Sequence, residues 1–120
     1  MTQPQNLKRY DLEERTLEFA RAILKFAKNS PKTVSNDEIV KQLIRSAGST
    51  GANYIEANEA LSKKDFVMRI KICRKEAKET AYWLKLVETS GESAEKQRQQ
   101  LIQEATEITK IFGAILEKVK

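Results

Sequence analysis

The chain has 120 residues, 40% hydrophobic and 32% charged, with a formal net charge of +5. That is enough for one domain with a core of its own and too little for two, and the few glycines and prolines suit a soluble helical protein. The lack of histidine and the single cysteine exclude Ser–His–Asp and Cys–His catalysis and an internal disulfide, and no apolar run is long enough to span a membrane.

Residues 1–9 are polar and read as a flexible N-terminal segment. Met1–Lys8 holds no signal-peptide core, so the expected compartment is the reducing cytoplasm. Residues 10–120 read as four helices, at about 11–29, 36–60, 63–88 and 93–119. Asp11 and Glu14 form a capping box that opens helix 1. Two apolar stripes follow: Leu12, Thr16, Phe19, Ile23 and Phe26 on one line, Leu17, Ala20, Leu24 and Ala27 on another. One core-facing stripe is enough for a bundle helix, so the second predicts cover on two sides. Asn29-Ser30-Pro31 ends the helix, because the residue before proline is pushed out of the α region.

Ser35 and Glu38 form a capping box for helix 2, whose seam is Val40, Leu43, Ala47, Thr50, Tyr54, Ala57 and Leu61. Its middle, Ser46 to Ala52, carries no large side chain. A mid-helix glycine costs about 1 kcal/mol against alanine, so Gly48 and Gly51 predict close approach of a neighbouring helix. A phosphate-cradling loop would need the Walker lysine and a preceding strand, and has neither.

Helix 3 starts after the turn Ala60-Leu61-Ser62, with Ser62 and Asp65 as its cap. Phe66, Ile70, Cys73, Ala77, Thr80, Leu84 and Val87 recur at alternating steps of four and three, the seam of a helix packed along its whole length. Cys73 on that seam reads as an inert core thiol. The opposite side carries Lys64, Lys71, Lys78 and Lys85, seven residues apart, with Arg74 and Lys75 beside them. Residues 61–85 hold eight basic and three acidic residues, and the rest of the chain balances at fourteen of each. The excess charge therefore belongs to one helix, which can attract a polyanion or stand as a solvated lysine face.

Thr89-Ser90-Gly91-Glu92-Ser93 separates helix 3 from helix 4, which becomes periodic at Leu101, Ala105, Ile108, Phe112, Ile115 and Val119. Four such helices with short loops predict an all-α, up-down-up-down antiparallel four-helix bundle, roughly 30–40 Å tall. A ferritin-like di-metal site needs Glu-x-x-His on facing helices. Glu56 with Glu59, or Glu104 with Glu107, offers carboxylates alone. No catalytic residue, metal ligand or cofactor is assigned, and the reading is of a protein that is not an enzyme.

The run Gln42-Leu43-Ile44-Arg45-Ser46-Ala47-Gly48-Ser49-Thr50-Gly51-Ala52-Asn53-Tyr54-Ile55-Glu56-Ala57 resembles the signature of the bacterial four-helix-bundle family also called the 23S rRNA intervening sequence protein. Ala60 to Phe66, Lys75 to Leu84, and Tyr10 with Leu17-Glu18-Phe19-Ala20 resemble it too, so the likeness covers roughly residues 10–88. Thr50 stands where that family has isoleucine or valine, which predicts looser packing there. The resemblance implies a ring-shaped homopentamer without catalysis. Some members are encoded within insertions of bacterial large-subunit rRNA genes. A related branch, the accessory variability protein of diversity-generating retroelements, is a basic pentamer that binds nucleic acid and a reverse transcriptase.

Two functions of different class follow. One is an RNA-associated accessory protein that holds the phosphate backbone of RNA or DNA through Lys64, Lys71, Arg74, Lys75, Lys78 and Lys85, blind to base sequence because lysines on phosphates read no base edges. Tyr82 follows this ridge and can stack on a base or pack. The other is a scaffolding oligomer whose partner is a protein, assembled through a second apolar set at Ile72, Trp83 and Leu86.

Overall fold

The computed structural model describes the backbone of residues 4–119 and the side chains of residues 12–119. Four helices follow one another: α1 (Pro4–Lys28), α2 (Val34–Asn58), α3 (Lys63–Leu86) and α4 (Glu92–Lys118). Loops of four or five residues force each helix to run back along the one before, and no strand occurs among the described residues. α2–α3 and α3–α4 are the most extensive packed pairs, and α1 closes the ring least extensively, against α4. The bundle measures 44 × 31 × 19 Å.

Helix ends show where local capping patterns mislead. α1 opens at Pro4, ahead of Asp11, which falls inside the helix; proline suits a first turn whose N–H groups have no partner anyway. The side chains of Asp11 and of the segment expected to be flexible, 1–9, lie outside the described residues. α2 is capped by Thr33, not Ser35: the Thr33 hydroxyl accepts from the Asn36 amide at 3.1 Å. Ser62 caps α3 as its sequence suggests, accepting from the Asp65 amide at 3.1 Å. Gly91 precedes α4 as its N-cap, with a φ of +96° that glycine alone adopts at little cost.

The seam of α3 lies inside, with Ile70, Cys73, Ala77, Thr80, Leu84 and Val87 all buried and Phe66 partly so. On α1 the first stripe is buried from Leu12 to Phe26, whereas Leu17 and Leu24 of the second are 45% and 47% exposed. Ala27 of that stripe is buried, but the described residues supply no cover for the two leucines. On α2, Leu61 is a correction: the helix ends at Asn58, which leaves Leu61 exposed in the turn. On α4 the seam steps from Ile115 to Leu116 at the last turn, because 3.6 residues per turn drifts against a seven-residue repeat. Tyr54 and Phe112 meet with ring centroids 5.8 Å apart, joining α2 to α4 across the core.

The buried threonines are satisfied within their own helices. Thr16, Thr50 and Thr80 donate to carbonyls one turn back in their own helices. Thr50 is thus fully buried with its hydroxyl engaged, so a polar residue in that apolar position leaves nothing unpaired. Asn36, also buried, donates to the Pro31 carbonyl at 3.0 Å and accepts from the Glu88 amide at 2.8 Å, tying the first loop to the end of α3.

Candidate nucleic-acid interface

With its seam turned inward between α2 and α4, α3 presents its opposite side to solvent. Lys64, Lys71, Arg74, Lys75, Lys78 and Lys85 are all exposed there, and none forms an ion pair among the described residues. The other described arginines have acceptors: Arg15 holds Glu104 and Glu107, Arg21 holds Glu18, Arg45 holds Glu76 and Glu79, Arg69 holds Asn53, and Arg98 caps the end of α3. Arg74 alone among them has none.

The three acids of the same stretch are turned elsewhere. Glu76 and Glu79 lie 3.2 and 3.3 Å from the Arg45 guanidinium of α2, and Glu76 is buried in that contact. Asp65 stands in the first turn, where the helix dipole favours an anion. Sequence alone showed the cations but missed this segregation, because Arg45 lies 31 and 34 residues from its partners. One face of α3 is thus positive without internal compensation, and the acids balance a neighbouring helix.

The residues expected at an oligomer interface are divided. Leu86 is 48% exposed, but Ile72 is only half-exposed and Trp83 packs against the chain's own core. The Trp83 indole N–H is buried with no acceptor among the described residues. The two glycines also part company. A Cβ at Gly51 would lie 3.0 Å from Thr16 Oγ1, a true close approach of α1. At Gly48 nothing lies within 4 Å, and the helix contact expected there is not made within the chain.

Other chemistry finds little to work with. Cys73 is fully buried and its thiol is pushed up to about 12 by burial, which keeps it protonated and unreactive. No cluster of acidic or thiol ligands that could hold a metal occurs among the described residues. A groove of about 720 Å³, missed in the sequence, opens at the end of the bundle where Leu12 of α1 meets the ends of α2 and α4. Leu12, Tyr54, Phe66, Ile111 and Ile115 line it, and among the described residues Asn58 and Lys118 are the polar side chains beside the tyrosine. No described helix is long and apolar enough to cross a membrane.

An all-α up-and-down bundle with one basic helix face defines the class: a small four-helix-bundle protein. The profile of the 23S rRNA-intervening sequence protein family matches residues 8–114, and the chain belongs to that family. A solved structure described as a protein of unknown function from the S23 ribosomal protein family of Bacteroides thetaiotaomicron VPI-5482 is similar, with a TM-score of 0.76 and 33% identity. That likeness covers 92% of this chain and 98% of the other. No curated protein matches the chain.

Proposed function

We propose that the protein is a non-catalytic, cytoplasmic accessory protein that holds RNA by its phosphate backbone on the outer face of α3, as a self-assembled ring. The observation that carries this is the segregation of charge: six exposed cations on one face with no ion-pair partner among the described residues, and the acids of the same helix held by Arg45 or at the helix start. Lysines seven residues apart rise about 10 Å per step, so the ridge from Lys64 to Lys85 spans roughly 30 Å. About four phosphates met by one ridge give weak binding whose logarithm falls with the logarithm of salt at a slope of about −3. The family's name, which refers to ribosomal RNA, supports RNA as the polyanion.

A second reading is a scaffold for a protein partner, a reverse transcriptase being the kind the resemblance implies. The exposed Met68 and Leu86 of α3 favour it. Replacing Lys71, Lys78 and Lys85 together with glutamine separates the two. All three side chains are exposed and unpaired, so helicity and assembled mass should stay unchanged. RNA binding at physiological salt should be abolished. Wild-type protein that binds neither RNA nor DNA at low salt would leave the lysines as a solvated surface and favour the scaffold.

A further inference from the structure

We infer that the basic face of α3 takes its nucleic acid as a single strand, with Tyr82 as the platform on which an unpaired base stacks; this rests on the nucleic-acid reading above and names its substrate class. Lys71, Lys75, Lys78, Tyr82 and Lys85 follow one another at steps of four, three, four and three, which puts all five on one outer stripe. The lysines are exposed, and Tyr82 among them is 57% exposed.

The ring is also held. Trp83 meets it edge-on, with centroids 4.9 Å apart and planes at 75°, and Trp83 itself packs against the core. A buttressed aromatic with a lysine one turn away on either side is what single-strand binding requires, since the cations take phosphates and the ring takes a base face. Bases within a duplex are stacked on one another and have no such face to offer. The lysines draw any nucleic acid, but the contact at Tyr82 is open only to a strand with unpaired bases. A protein surface covering Tyr82 would instead bury it among four lysines, and lysine is depleted from the centres of protein interfaces because its ammonium is costly to desolvate.

Trp83 is the only tryptophan of the chain, so its emission reports on the neighbouring ring. The test titrates an oligouridylate, and an RNA duplex of the same length, into the assembled wild-type protein and its Tyr82→Phe and Tyr82→Ala variants at two salt concentrations. The single strand should bind more tightly than the duplex and quench Trp83. Tyr82→Ala should lose about tenfold in single-strand affinity, with duplex affinity and the salt slope unchanged. Tyr82→Phe should retain both the affinity and the quenching. Tighter binding of the duplex, or equal effects of Tyr82→Ala on both ligands, overturns the stacking role and leaves the basic face standing. A lower assembled mass for Tyr82→Ala with RNA affinity intact also overturns it, and assigns the ring to a protein contact. Failure of both ligands to bind at low salt overturns the nucleic-acid reading itself.

Discussion

Thr16 is the residue that tells the two glycines of α2 apart. It is buried, and its hydroxyl donates to the Leu12 and Glu13 carbonyls at 3.0 and 3.1 Å, so the side chain is locked where α2 comes nearest to α1. A Cβ on Gly51 would sit 3.0 Å from its Oγ1 and 3.3 Å from its Cβ. Gly51→Leu should therefore cost about 1–3 kcal/mol by overpacking, despite leucine's better helix propensity. Gly48 has only solvent before it within the chain, so Gly48→Ala should raise stability by up to about 1 kcal/mol. Urea midpoints of the two variants moving in opposite directions would bear this out, and a gain for both would refute the close contact at Gly51. A small-residue turn in a sequence announces that some position is crowded. It does not say which, because that depends on the rotation of α2 against α1.

At the scale of the helices, α3 depends on α4 for its ending. Arg98 donates to the carbonyls of Leu84, Lys85 and Val87 at 3.4, 3.0 and 3.3 Å, groups that a helix C-terminus otherwise leaves to water. Hydrogen bonds from Gln99 and Arg98 hold the Glu95 carboxyl below its ordinary range, so the guanidinium keeps a charged partner as well. Arg98→Ala should cost about 1–2 kcal/mol and speed amide exchange in the last turn of α3. Exchange unchanged in that turn would show that water caps the carbonyls equally well. This contact was invisible in the sequence, as was the Arg45 clamp on Glu76 and Glu79, since each joins residues on different helices. What could be read was whatever repeats along a single helix: the seam of α3 and its lysine stripe both follow from heptad spacing. Helix starts were less legible where hydroxyls cluster, and Thr33 rather than Ser35 caps α2 because both lie within the same short polar stretch.

For the whole molecule, surplus apolar surface lies on the α1–α2 side as well as on α3, where Met68 and Leu86 are exposed. Leu17 and Leu24 stand seven residues apart on α1, Gly48 and Ile55 seven apart on α2, and the Thr16–Gly51 approach brings the two stripes side by side. Exposed leucines on one helix beside an exposed isoleucine on the next suit a second copy of the chain better than water. Assembly through this side leaves the lysine face of α3 free, so several ridges can engage one RNA and raise avidity without a new contact. Leu17→Glu combined with Leu24→Glu should therefore reduce the particle to the 13.7 kDa monomer with helicity retained, since both side chains are exposed within the chain. Trp83→Glu would be a poorer test, because that ring packs on the core and its loss would unfold the bundle. The wild-type particle should be about five times the monomer mass, as the family resemblance implies. RNA affinity of the double variant should fall to that of a single ridge while its salt slope drops, since fewer phosphates are held at once. A wild-type protein that scatters light as a monomer at micromolar concentration would refute the assembly. An assembled double variant would place the interface on another face.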